Sequence, residues 1–136
     1  MLSMANEAIL IQQLEDRLLE CTVADGATIE KGTILKLTDP NTGVASGADG
    51  DIFLGIAAYE KVASDGSTRL SVHRHGVFDL KDSGSGIAVG AFVKIAGANL
   101  IATADDDQVE ASGEVVGMAL QTASAAEVIE VLVGAW

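Results

Sequence analysis

From about residue 22 to the C-terminus, short apolar runs alternate with polar, glycine-bearing turns, and the alternation comes twice. Ile29-Glu30-Lys31-Gly32-Thr33-Ile34-Leu35-Lys36-Leu37 lines up with Ile87-Ala88-Val89-Gly90-Ala91-Phe92-Val93-Lys94-Ile95. Phe53-Leu54-Gly55-Ile56-Ala57 lines up with Val115-Val116-Gly117-Met118-Ala119, and Ser71–Gly76 with Ile129–Gly134. An ordered set of matches like this marks an internal duplication. The pattern predicts strands at Thr33–Leu37 and Ala91–Ile95, around Gly55 and Gly117, and at the end of each copy. Turn signals every roughly 8–12 residues place such strands in a sandwich or barrel. A glycine inside an apolar strand signals a bulge or a close backbone approach, which is expected at Gly55 and Gly117. Within the two modules, Ala123–Glu127 or Gln108–Ala111 carries a short-helix pattern, and neither is long enough to be stable alone. The expected fold is all-β with minor helix: a compact β-barrel or sandwich of two duplicated β modules with an N-terminal arm. The arm spans 1–21 and the β-rich domain 22–136, with repeats at 22–80 and 81–136 joined at Ser83-Gly84-Ser85-Gly86.

The arm carries more aliphatic side chains than a free tail needs. Leu10, Leu14 and Leu18 stand at helical spacing, with Ile9, Ile11 and Leu19 beside them. Leu18–Val23 also reads as an extended segment entering the first module. In either conformation Ile9, Leu10, Ile11, Leu14, Leu18 and Leu19 are candidate contact residues for a neighbour or partner.

Composition narrows the function. Eight basic residues against 20 acidic ones leave a formal net charge of −12, so no basic patch forms and nucleic-acid binding is excluded. The acidity suits solubility at high density or a basic partner. Half the chain is apolar (49%) but only 4% is aromatic, a mix that favours short strands packed with small side chains. No apolar run approaches the roughly 20 residues that a membrane-spanning helix takes, and no signal peptide is visible. Cys21 is the only cysteine, so no disulfide forms within the chain.

Candidate chemistry is sparse. His73 and His75 alternate as if on one strand face, but a metal site takes a third ligand and the chain has no third histidine. A surface or oligomer-interface role fits them better. Asp49-Gly50-Asp51 and Asp105-Asp106-Asp107 lack the alternating oxygen ligands and closing glutamate of a calcium loop and read as solvated acidic loops. Ser83–Gly86 has no following Lys-Ser or Lys-Thr, so it is not a phosphate cradle. Cys21 reads as a small buried thiol, and no Gly-x-Ser-x-Gly elbow is present. Trp136, the only tryptophan, is a candidate interface anchor. These residues predict no enzyme, no bound cofactor and no metal.

The run Cys21–Gly26, then Ile29–Thr33 and Leu35–Pro40, resembles the opening of the capsid cement family of tailed phages. Gly55–Thr68, Gly76–Leu80, Gly117–Leu120 and Val131–Gly134 extend the likeness over about residues 5 to 135. The resemblance implies a β-rich decoration protein, related in shape to the lambda-type head proteins. It further implies a homotrimer at three-fold positions on the outer surface of the expanded head, with the N-terminal arm contacting the major capsid protein. The segment Gln12–Arg17 is richer in helix formers than an extended arm of that family. A second likeness, from Val23–Gly26 to Lys31–Leu35, is to lipoyl or biotinyl carrier domains. Their modified lysine sits in Met-Lys-Met or Asp-Lys-Ala, and neither tripeptide occurs here.

Overall fold

In a computed structural model, residues 6–12, 18–104 and 113–134 are described. Eleven strands follow in chain order: β1 Ile9–Gln12, β2 Leu19–Thr22, β3 Ile34–Asp39, β4 Thr42–Ala45, β5 Phe53–Ala57, β6 Arg69–His73, β7 Gly76–Asp82, β8 Phe92–Gly97, β9 Leu100–Thr103, β10 Val115–Ala119 and β11 Val128–Val133. They form two small barrels. The first closes as β2-β4-β3-β5-β6. The second runs β7-β11-β10-β8-β9 and closes through a β7–β9 pairing, with β1 added outside β7. The expected all-β duplicated architecture is thus present. No helix occurs among the described residues: Ala123–Glu127 is a turn, and Gln108–Ala111 lies outside them.

The duplication is a duplication of pairing. Each barrel is closed by one parallel contact, Thr22 opposite Thr42 in the first, and Lys81 and Asp82 opposite Leu100 and Ile101 in the second. All other ladders are antiparallel. Isolated bridges tie Ile29 to Lys61 and Ile87 to Ala123 at matching places. The β3–β4 and β8–β9 hairpins turn on Asn41 and Asn99, each at φ 56°, a left-handed conformation that asparagine tolerates.

Strand register corrects the sequence alignment at the last strand. Ile56 lies opposite His73, and its copy Met118 lies opposite Leu132. The copy of His73 is therefore Leu132, one residue on from the apparent match to Val131. A one-residue slip exchanges the faces of a strand, and the corrected register matches Leu70 and Val72, both buried, to Ile129 and Val131. The whole of β7 pairs within the second barrel. The chain thus passes between barrels at Arg74–His75, and Ser83–Gly86 is a loop of the second barrel.

Two apolar clusters fill the molecule. One lies in the first barrel around Cys21, Val23, Ile29, Leu35, Leu54 and Val72. The other fills the second barrel and continues to Ile34, Phe53 and Ile56, which the first barrel turns outward. That shared layer joins the barrels, and polar contacts reinforce it. The buried Asn99 side-chain oxygen accepts from the Ile34 N–H at 2.9 Å, and Arg74 donates to the carbonyls of Phe53 and Leu54 at 3.3 and 2.8 Å. The Arg74 guanidinium also stands 5.1 Å from the Phe53 ring centre, a favourable cation–π distance.

The two strand glycines have a physical cause. A Cβ on Gly55 would come within 2.8 Å of both the His73 carbonyl oxygen and a Val72 methyl, and one on Gly117 would collide with the Leu132 carbonyl. Both positions bring two backbones close where the barrel bends, as expected for glycine within a strand.

Candidate functional site

The arm is extended where it is described. Ile9, Leu10 and Gln12 pair antiparallel with Asp79, Phe78 and Val77 of β7. Ala8 enters the shared core, and its N–H donates to the Gly32 carbonyl at 2.6 Å. The helical reading of the leucine stripe therefore fails at Leu10 and Leu18, because a sheet edge satisfies the backbone groups that an isolated helix would leave to itself. Leu14 lies outside the described residues. Although paired, β1 is exposed along its length: Ile9 is 61% exposed, Ile11 47% and Leu10 36%. Leu19, at the start of β2, is 45% exposed and Leu18 is half-buried. A groove of about 730 Å³ runs between arm and first barrel, lined by Glu7, Leu10, Leu18, Tyr59, His73 and Phe78 among others. It leads from exposed aliphatic surface to the 60%-exposed Tyr59.

The two histidines do not share a strand face. His73 ends β6, and its ring meets the Phe78 ring edge-on at 5.4 Å. His75 lies in the crossing between barrels. The chain changes barrels there, so their alternation in sequence is not an alternation on a sheet. Burial, then the Lys31 charge, pushes the His73 pKa below its ordinary value. Trp136 lies outside the described residues.

The acidic loops are tied into the structure. Asp51 accepts from the N–H groups of Gly47 and Ala48 at 3.0 and 2.9 Å and faces Lys36 at 3.7 Å. Asp49 pairs with Lys94 at 3.2 Å. Asp105–Asp107 lie outside the described residues. Among those described, no group of three or more histidine, cysteine or acidic side chains is placed to hold a metal. Cys21 is buried, and burial raises its thiol pKa against the opposing Gly43 hydrogen bond, so its thiolate is disfavoured. The tips of the β3–β4 and β8–β9 hairpins carry Pro40–Asn41 and Ala98–Asn99, with no lysine for a carrier attachment.

Three polar groups escaped the sequence reading. Lys61 is 1% exposed, and its ammonium donates to the carbonyls of Asp25 and Val62 and to Asp65 at 2.8, 2.9 and 2.8 Å. Asp82 is fully buried and accepts from the N–H groups of Gly86 and Ala126 at 2.8 and 3.1 Å. Glu30 stands across the Ile29–Lys61 bridge from Glu60. A hydrogen bond that the protonated Glu30 carboxyl donates to Glu60, then burial and the charges of Glu60 and Glu7, raise the Glu30 pKa. The only signal for Lys61 was a lysine where the second copy has Ala123, a difference that carries meaning only once the bridge is known.

What the described residues offer is a surface: an apolar arm and a groove beside it. The description phage cement protein matches residues 13–135. The chain belongs to the phage cement protein family. No curated protein matches it. The family gives the chain a role in cementing a phage capsid, a structural role in association with the virion.

Proposed function

We propose that the protein binds the outer surface of an expanded tailed-phage head at its three-fold positions, contacts the major capsid protein and stabilises the shell against the pressure of packaged DNA. The observation that carries this reading is the arm: Ile9, Leu10 and Ile11 lie on the protein surface in a strand exposed along its length. Contiguous exposed aliphatics of this kind mark interaction surfaces. Ile9, Leu10, Ile11, Leu14, Leu18 and Leu19 are the contact residues of the arm. His73, His75 and Trp136 are assigned to the contacts within a homotrimer.

A ligand that binds only the assembled lattice stabilises it by mass action. Three arms on one trimer turn a modest single contact into strong avidity. The charge of −12 fits an exterior position rather than a DNA-lined one. The test is co-sedimentation with expanded, undecorated capsids followed by cryo-electron microscopy. Trimeric density over the three-fold positions is the expected result. Absence of binding to cognate shells, with a monomer in solution, overturns the proposal.

A further inference from the structure

The repeat sets each buried polar group beside its copy. The turn at Val62–Asp65 is copied by the turn at Ser124–Glu127. The Asp65 N–H donates to the Val62 carbonyl at 3.3 Å, and the Glu127 N–H donates to the Ser124 carbonyl at 3.1 Å. Ser64 and Ala126 hold the same positive φ within these turns. The neighbouring strand is copied too. The Val23 N–H donates to the Thr68 carbonyl and the Asp82 N–H to the Glu127 carbonyl, both at 2.9 Å. Register along β2 and β7 agrees, so Asp82 stands where the first barrel has Val23.

In the first barrel the Asp25 carbonyl accepts twice, from the Ser64 N–H at 2.7 Å and from the Lys61 ammonium at 2.8 Å. In the second the Ala126 N–H goes instead to Asp82 Oδ2 at 3.1 Å. The Asp82 carboxylate thus takes the place of that carbonyl. The ammonium has no copy, because the bridge partner of Ile87 is Ala123 where that of Ile29 is Lys61. The rest of the ammonium's cradle is kept in kind. The Val62 carbonyl and the Asp65 carboxylate have their copies in the Ser124 carbonyl and the Glu127 carboxylate, which folds back over the same turn to accept from the Ser124 N–H.

Asp82 is fully buried, and among the described residues its Oδ1 has no hydrogen-bond partner. The N–H groups of Gly86 and Ala126 meet Oδ2 alone. A buried charge is paired with an opposite charge or coordinates a metal ion. We infer that Asp82 Oδ1 and the Ser124 carbonyl hold a monovalent cation, potassium or ammonium, at the place where the first barrel holds the Lys61 ammonium. The ligands are hard oxygens, which suit such an ion. The ion carries the single charge of the group it replaces, and potassium and ammonium are alike in size. The inference is independent of the cement reading, since it rests on the repeat and on one buried carboxylate.

The test is thermal melting of the full chain in potassium, ammonium and tetramethylammonium chloride at one ionic strength. Tetramethylammonium is too bulky for the site. Wild-type protein is expected to melt about 3–6 °C higher in potassium or ammonium than in tetramethylammonium. Ala123→Lys supplies an ammonium as Lys61 does. Asp82→Asn removes the charge and keeps an oxygen for the two N–H groups. Both variants are expected to lose the dependence on the cation. Crystals grown in rubidium chloride are expected to show anomalous density against Asp82 Oδ1, and this decides the position of the ion if either variant does not fold. Equal melting temperatures of wild type in the three salts overturn the inference and leave a buried water at Oδ1. A potassium dependence that survives in Asp82→Asn, or rubidium density only elsewhere, puts the ion at another place and also overturns it. Stabilisation by calcium chloride with none by potassium overturns the monovalent assignment.

Discussion

The two barrels share a backbone path yet hold the same exposed turn with buried side chains of opposite charge. In the first, Lys61 rises from the bridge to Ile29 and donates to the carbonyls of Asp25 and Val62. In the second, the bridge partner of Ile87 is Ala123, and the buried charge comes from β7: Asp82 accepts from the N–H of Ala126. The turn itself is the same, with Ser64 at φ 61° and Ala126 at φ 64°. A positive φ on such residues is costly and persists only where its surroundings hold it. What the copies kept is the backbone geometry, and the polar group that holds it was free to move from one strand to another. Buried polar groups have to be paired, but the pairing does not specify which side supplies the charge.

Replacing the buried charge is the strongest way to break the comparison. Lys61→Ala is expected to cost about 4 kcal/mol, from the lost packing of the buried lysine stem and the loss of its charge-assisted bonds to two part-buried carbonyls and Asp65. Asp82→Ala should cost less, about 2–3 kcal/mol, because its partners are two N–H groups of one turn. Urea denaturation measures both, and a Lys61→Ala cost below that of Asp82→Ala would contradict this ordering. The strand glycines come next. Gly117→Ala is expected to cost about 3 kcal/mol and Gly55→Ala about 2, because the new methyl meets backbone at Gly117 and partly a yielding valine at Gly55. Equal melting temperatures for the two variants would mean that the barrels bend alike. A smaller effect tests the arm: Ala8→Asp puts a charge into the shared core and should free β1, costing about 2 kcal/mol and raising hydrogen exchange along Val77–Asp79.

The smallest effect is a pH dependence confined to the first barrel. Glu30 binds its proton more tightly in the folded chain, because of Glu60, so this pair adds stability on acidification. The gain begins as pH falls through the raised folded value and is complete below about pH 4.3, where the unfolded glutamates protonate too. Asp65 acts in the opposite sense. The Lys61 ammonium, then the Ser67 N–H, hold its pKa down, so its contribution is present above about pH 3.9 and lost as pH falls through the lower folded value. Glu60→Gln is expected to flatten the first rise in thermal melts and leave the acid loss in place. His73, with its lowered pKa, works against the rise below about pH 6.5, so the Glu60→Gln melts are best compared on a His73→Gln background.

Much of this was legible in the chain. The doubled strand pattern and the close approach at Gly55 and Gly117 follow from local residue choice, because a strand's side-chain period and a glycine's missing Cβ are properties of short segments. So does the family likeness, which rests on the order of those segments. The arm's conformation did not follow: Leu10, Leu14 and Leu18 fit a helix as well as an edge strand, and only a free β7 edge selects the strand. The contact of His73 with Phe78 and the burial of Lys61 and Asp82 were equally beyond reach. Each depends on which strand lies beside which, and register between distant segments is set by the closed barrel and not by either segment alone. The sequence by itself determined two copies of an acidic all-β unit with an apolar leader. Barrel closure decided where the chain crosses from one copy to the other and which charge each copy buries, because only a closed ring of strands fixes which distant segments lie side by side.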